Sequence, residues 1–273
     1  MTEGPDPTMN NDPVTSPMKL FDLTGRTALV TGARRGIGRA IAEALAAQGA
    51  HVAIHHAGGE DEQCDADTVV SDITRGGGKA VAFAADFAPP GSGKRLAATV
   101  VDQMGKVDIL VLNASIELLE GYETISTERF DRQIAINLRA PLELLQALLP
   151  AMAKRGWGRI VAIGSIQQLR PHPEMLVYAG TKSAQYNWVR SLARQVGRTG
   201  VTVNNLAPGA IWTARNDDRF SDAAHRHQLE QRVPAGRVGA PVDLVGAALL
   251  LCSDAGSYIN GADLHVDGGL GLT

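Results

Sequence analysis

The chain has 273 residues, 44% of them hydrophobic and 20% charged, and its 26 basic and 29 acidic side chains leave a formal net charge of -3. This is ordinary globular composition, with no basic footprint for nucleic acid or an anionic membrane surface. Two cysteines, Cys64 and Cys252, stand far apart in no C-x-x-C pattern, which argues against a disulfide framework or a thiolate zinc site and suits a reducing cytosol.

The first 18 residues hold four prolines and no apolar core, so residues 1–18 read as a disordered leader, neither secretory signal nor membrane anchor. No apolar run approaches the roughly 20 residues of a membrane span. A cytoplasmic location is expected from that lack of signals. From Arg26 onward, short aliphatic and β-branched runs alternate with longer Ala/Leu-rich amphipathic stretches, the pattern of βαβ units. Strands are expected at 27–31, 51–55, 80–84, 109–112, 158–163, 201–206 and 263–266, mostly as continuous apolar runs suited to cover on both faces. Helices are expected at 37–48, 65–76, 93–104, 128–154, 177–199 and 242–253, with Pro141 kinking the fourth or starting its second half. No Pro/Ser-rich linker or internal repeat is visible. Residues 19–273 therefore read as one doubly wound, Rossmann-type α/β domain, a mostly parallel seven-stranded sheet with helices on both faces.

Glycine is the compositional anomaly, with 30 residues where about 7% usage would give roughly 19. Three of them lie in Thr31-Gly32-Ala33-Arg34-Arg35-Gly36-Ile37-Gly38, directly after the first strand and opening the first helix. That context suits a phosphate-binding turn, in which backbone N–H groups and the helix dipole meet a pyrophosphate; a purely structural turn is the competing reading. In NAD sites an acid about 20 residues on holds the adenosine ribose 2′-hydroxyl. Here the second strand ends Ile54-His55-His56-Ala57-Gly58, with no acid before Glu60 and His56 near the missing carboxylate. Nothing there repels a 2′-phosphate, and Arg35 stands ready to pair with one. The sequence thus favours NADP(H), with NAD(H) as the alternative. Solvated loop charges for Arg34 and Arg35, and plain strand-end residues for His55 and His56, remain the competing reading.

Tyr178-Ala179-Gly180-Thr181-Lys182 sets a tyrosine and a lysine four apart on one face of a helix. A phenol with an ordinary pKa near 10 is a poor base at neutral pH, and a nearby ammonium favours its ionised form. Ser165 ends the strand before that helix, at the carboxyl edge where open α/β sheets bind ligands, and can share a substrate oxygen with Tyr178.

With these motifs in this order, the chain resembles the short-chain dehydrogenase/reductase family in its TGxxxGIG and YxxxK form, from Leu20 to Gly269. Further matching points are Asp86, Asn113-Ala114, Asn137, Asn205-Leu206-Ala207-Pro208-Gly209 with Thr213 beyond, and Val266-Asp267-Gly268-Gly269. The resemblance implies a catalytic tetrad of Asn137, Ser165, Tyr178 and Lys182, with Asn137 holding a water that links Lys182 to solvent. It implies cofactor contacts from the Gly32 to Gly38 loop, from Asp86 to adenine and from Asn113 and Ala114 to the inner ribose. Pro208-Gly209 would lie beside the nicotinamide, Ile211 and Thr213 on its carboxamide, and Tyr178 and Lys182 on its ribose. The implied activity is an NAD(P)-dependent oxidoreductase moving hydride between nicotinamide and a small carbonyl or secondary alcohol, with Tyr178 as general acid and base. The branch resembled most contains 3-oxoacyl-carrier-protein reductases and sugar or polyol dehydrogenases. The implied assembly is a homo-oligomer, tetramer or dimer. A catalytically silent dinucleotide-binding regulator or scaffold is the alternative, though such a protein is expected to lose tetrad residues. A dehalogenase-like lyase would give up the glycine loop and the lysine, which this chain keeps.

Two departures stand out: Leu112-Asn113-Ala114-Ser115 where the family usually reads NNAG, and Ala162-Ile163-Gly164-Ser165 where NISS is commoner. The charged segment over 213–237 is expected to form a lid on the substrate, with Arg215, Arg219 and Arg226 favouring an anionic or polyhydroxylated one or simply facing solvent. Gln167, Arg170 and His172 are candidate substrate contacts. His55-His56 and His225-x-His227 lack a third ligand at metal spacing, so no metal is expected.

Overall fold

The computed structural model describes residues 16–272, so all but the last three residues of the expected leader lie outside the described residues. A 3₁₀ turn at Pro17–Phe21 precedes the sheet. The strands are β1 (Thr27–Val30), β2 (His51–His56), β3 (Lys79–Ala84), β4 (Ile109–Leu112), β5 (Gly158–Ile163), β6 (Val201–Pro208) and β7 (Asp263–Val266). They form one sheet in the order β3-β2-β1-β4-β5-β6-β7. Every neighbouring pair is parallel. The helices are α1 (Gly36–Ala47), α2 (Glu60–Arg75), α3 (Ser92–Met104), α4 (Thr127–Ile134), α5 (Ala140–Arg155), α6 (Leu176–Val196), α7 (Asp217–Ser221), α8 (Ala223–Glu230) and α9 (Val245–Cys252).

Successive strand side chains point to opposite faces, so each continuous apolar run feeds two cores. Val52 and Ile54 join Ile41, Leu45, Val69 and Leu251 under α1, α2 and α9, whereas Ala53 joins Leu96, Val100, Leu144 and Val189 under α3, α5 and α6. β1, β4 and β5 divide in the same way, Leu29, Leu110 and Ile160 facing one core and Val30, Val111 and Val161 the other. Each such side chain is almost fully buried and contributes about 1.5–3 kcal/mol.

The long helix expected over 128–154 is divided. α4 runs into a single π-helical turn, Ala135–Arg139, and α5 begins beyond it with Pro141 in its first turn. Pro141 has no N–H to return to the π turn, so the Asn137 carbonyl four residues back is left without an α-helical donor. The chain order places β1 beside both β2 and β4, and at that reversal the loops after β1 and β4 part to leave a cleft at the carboxyl ends of the strands.

Candidate active site

The glycine loop is held open by its neighbours. Thr31 Oγ1 donates to the Val111 carbonyl at 3.1 Å and accepts from the Asn113 and Ala114 amides, both at 2.9 Å. Asn113 Nδ2 answers by donating to the carbonyls of Thr31 at 2.8 Å and Gly32 at 3.0 Å. Gly32 and Gly36 take the left-handed φ values +63° and +58° that favour glycine. A Cβ on Gly38 would stand 2.4 Å from the Gly32 oxygen. The Gly32 amide does not face the cleft: it donates to His55 Nδ1 at 3.0 Å, and Ala33 donates to the His55 carbonyl. The other His55 nitrogen lies 2.9 Å from the Ala85 carbonyl, so Nε2 carries the proton, and the ring stacks on Phe87 at 4.3 Å. Burial lowers the His55 pKa to about 4, against the pull of the Ala85 carbonyl. Thus Gly32 shapes the turn, and the first-turn amides of α1 at Gly36, Ile37 and Gly38 are placed as donors to a phosphate.

The adenosine end fits a 2′-phosphate. Arg34 is paired with Glu62 at 3.2 Å and with Asp65. Arg35 forms no ion pair among the described residues, and burial followed by the charges of Arg34 and Arg215 lowers its pKa. His56 is 2% exposed, and neither of its ring nitrogens has a hydrogen-bond partner among the described residues. Asp86 accepts from the Ala88 amide at 2.9 Å and lines the same cleft.

At the other end, β5 delivers Ser165, and α6 delivers Tyr178 and Lys182 one turn apart. Ser165, Tyr178 and Lys182 line one cleft of about 1220 Å³ together with the glycine loop, Pro208, Gly209, Ile211 and Thr213. Lys182 Nζ lies 5.6 Å from the centre of the Tyr178 ring and donates to the Ile163 carbonyl at 2.7 Å and to Gln185 Oε1 at 3.2 Å. Burial pushes the Tyr178 phenol up to about 12; the Arg215 charge opposes the rise, Glu117 adds to it, and the Ser165 hydroxyl opposes it. Burial brings Lys182 down to about 7, with Arg215 lowering it further and Glu117 opposing. Asn137 lies behind them, in the π turn. Its Oδ1 accepts from the Ile116 amide and its Nδ2 donates to the Ile116 carbonyl, both at 2.9 Å. The Asn137 carbonyl accepts from Gln185 Nε2 at 2.6 Å.

Of the two departures, Leu112 turns into the core under α3 and α5. Ser115 faces Arg215, whose guanidinium donates to the Ser115 carbonyl at 2.7 Å and to its hydroxyl at 3.3 Å, tying the β4 loop to the segment after β6. Arg226 is turned away, over the Trp212 ring at 5.4 Å, and the Arg219 side chain lies outside the described residues. Gln167 and His172 line the cleft but hold each other's loop, the His172 amide donating to Gln167 Oε1 at 2.6 Å, while Arg170 reaches the Leu270 carbonyl at 3.3 Å. His225 stacks on Phe220, and His227 meets Gln231 at 3.0 Å. Sequence reasoning missed the locking role of His55, the bridge through Gln185 and the half-buried Glu117 in the cleft. The local signals were a histidine one residue before the cofactor position and a glutamine on the Tyr178 face of α6.

A family profile described as enoyl-(acyl carrier protein) reductase matches residues 32–271. The L-rhamnose 1-dehydrogenase (NAD(P)(+)) of Azotobacter vinelandii is 38% identical over 91% of this chain and 97% of its own. The crystal structure of a 3-oxoacyl (acyl-carrier-protein) reductase from Agrobacterium tumefaciens C58, with NADP bound, is 39% identical, with a TM-score of 0.88 over 96% of this chain and 99% of that one. A gluconate 5-dehydrogenase from Burkholderia cenocepacia J2315, in complex with NADP and tartrate, is 33% identical, with a TM-score of 0.87 over 94% of this chain and 99% of that one. With the glycine loop and the Tyr/Lys pair opening on a single cleft, this chain belongs to the short-chain dehydrogenase/reductase family.

Proposed function

We propose that the protein is an NADP(H)-preferring oxidoreductase that interconverts a small carbonyl compound and its secondary alcohol. The observation that carries this reading is the convergence of Ser165, Tyr178 and Lys182, all buried, on the cleft that also receives the first turn of α1. The nicotinamide, when bound, supplies or accepts the hydride. Ser165 donates a hydrogen bond to the carbonyl oxygen and holds it against the Tyr178 hydroxyl. A phenol of pKa about 12 keeps its proton at neutral pH, which suits Tyr178 to protonate the developing alkoxide in reduction. In oxidation it must lose that proton, and the adjacent Lys182 ammonium lowers the cost. Asn137 fastens the π turn to the β4 loop behind the lysine. The alternative of a silent dinucleotide-binding scaffold finds no support, since the relatives are dehydrogenases and reductases.

A polyhydroxylated substrate suits the cleft better than an acyl chain. Glu117 has no ion-pair partner among the described residues, and its charge reaches both Tyr178 and Lys182, so it is placed to accept hydrogen bonds from hydroxyls beside the reacting carbon. Arg215 adds donors from the segment over 213–237, the lid of this reading. The experiment is NADP(H)-linked turnover of aldoses, polyols and 3-oxoacyl thioesters by the wild type and Tyr178→Phe. The expected result is turnover of the hydroxylated compounds and a kcat at least about 10²-fold lower in the variant, with NADPH affinity little changed. Near-normal turnover by Tyr178→Phe overturns the catalytic reading, and preference for the thioesters overturns the substrate class.

A cytoplasmic homotetramer, with a dimer as the lesser form, completes the reading. β7 ends the sheet with one edge unpaired among the described residues, and Val242, Tyr258 and Leu272 are exposed. Light scattering after gel filtration tests the assembly, and a monomer at micromolar concentration refutes it. No helix among the described residues is long and apolar enough to cross a membrane.

A further inference from the structure

We infer that Gln185 is a positioning residue for Lys182, its side-chain amide bridging the lysine ammonium and the Asn137 carbonyl. The inference rests on the catalytic reading of Tyr178 and Lys182 and deepens it.

Tyr178, Lys182 and Gln185 lie at i, i+4 and i+7 on α6, one face of the helix, and Thr181 adjoins them. Gln185 is 3% exposed and Lys182 1%. The acceptor at the far end has a local cause: four residues beyond Asn137 stands Pro141, which has no N–H for an α-helical bond to that carbonyl. Gln185 Nε2 fills the vacancy at 2.6 Å. Chemistry allows one orientation of the amide, since an ammonium only donates and a carbonyl only accepts, so Oε1 must face Lys182 and Nε2 must face Asn137. Two of the three Lys182 N–H groups are thereby directed at Ile163 O and Gln185 Oε1, which leaves one for the cleft.

An acceptor dipole against the ammonium favours the charged lysine in a site where burial disfavours it. The charged or titratable groups acting on Lys182 are Tyr178 on its own helix, Arg215 after β6, which disfavours the ammonium, and Glu117 after β4, which favours it. The π turn and the end of β5 offer it the amide-linked Asn137 carbonyl and the Ile163 carbonyl.

The test is the ionisation of Tyr178 in the NADPH complex, read as ultraviolet phenolate absorbance with Tyr178→Phe as the blank, for the wild type, Gln185→Met and Gln185→Ala. Gln185→Met keeps the length of the side chain and removes the acceptor. It should raise the ionisation of Tyr178 by about one pH unit, a tenfold change in proton affinity, because the lysine charge that favours the phenolate is weakened. Gln185→Ala leaves room for a water with polar partners on both sides and should titrate within about 0.3 pH unit of the wild type. Each variant is saturated with NADPH before titration, because Lys182 is itself an expected contact to the nicotinamide ribose. If Gln185→Met does not fold, Gln185→Leu tests the same loss. A wild-type titration for the Met or Leu variant, or an Ala variant shifted as far as Met, overturns the inference. An inactive Tyr178→Phe beside such a result leaves the catalytic reading standing; an active one sinks that reading instead.

Discussion

Arg35 carries a guanidinium that no carboxylate pairs with among the described residues, set between the charges of Arg34 and Arg215, while Arg34 is held by Glu62 and Asp65. Such a group is built for an incoming dianion, and the unpartnered ring of His56 lies in the same cleft. Charge-assisted hydrogen bonds contribute about 1.5–3 kcal/mol each. Arg35→Ala should therefore weaken NADPH binding by about 10- to 100-fold and NADH binding by no more than about threefold. His56→Asp should reverse the preference by placing a carboxylate where the ribose hydroxyl binds. Fluorescence titration of both cofactors measures this, and parallel losses for NADPH and NADH in Arg35→Ala would assign the arginine to the shared pyrophosphate.

Among the elements, the loop between β1 and α1 bears the tightest constraint. Gly38 is in contact with two groups that themselves hold the loop together: a Cβ there would meet the Gly32 oxygen at 2.4 Å and Asn113 Nδ2 at 2.5 Å. Neither can retreat without breaking the Asn113 bridge between the β1 and β4 loops. Gly38→Ala should cost about 1–3 kcal/mol as an overpacking change and lower NADPH affinity by at least about tenfold, seen as a lower Tm and a weaker titration. Gly180→Ala, on α6 where a Cβ would meet nothing within 4 Å, is the control, and equal losses in the two variants would contradict the packing argument. The π turn is the second constraint, because it sets Asn137 deep enough to reach both Ile116 and Thr181.

Across the whole molecule, buried titratable groups set how stability follows pH. His55, near 6.5 when unfolded and about 4 when folded, is protonated only in the unfolded chain between those values, so stability falls as pH drops through that window, by about 3 kcal/mol in all. Lys182, lowered from 10.5 to about 7, adds stability as pH rises from 7 towards 10.5. Cys252, raised from 9.0 to about 12, binds its proton more tightly folded than unfolded and cancels the Lys182 gain above pH 9, and Tyr178, raised from 10.0 to about 12, turns the balance into a decline above pH 10. Urea unfolding across pH 4 to 11 should show a rise, a plateau between about pH 9 and 10, and a decline beyond it. His55→Gln should flatten the acid side, and an unchanged acid slope in that variant would clear His55 of the role.

The sequence by itself determined the alternation of strands and helices, the parallel sheet covered on both faces, the glycine turn and the Tyr178 and Lys182 pair. Each is a local matter, set by apolar runs, by glycine at left-handed φ and by helical spacing. Tertiary structure alone decided which arginine stays unpaired, that the Gly32 amide is claimed by His55, and that Gln185 reaches the Asn137 carbonyl. Those contacts join residues 23 to 48 positions apart, and in the arginine's case about 30. Their partners are chosen by burial, because a polar group removed from water takes whichever complementary group the fold brings within reach. Spacing along the chain carries no record of that choice. Pro141 comes nearest to one, since a missing N–H marks in advance a carbonyl that some other part of the molecule must satisfy.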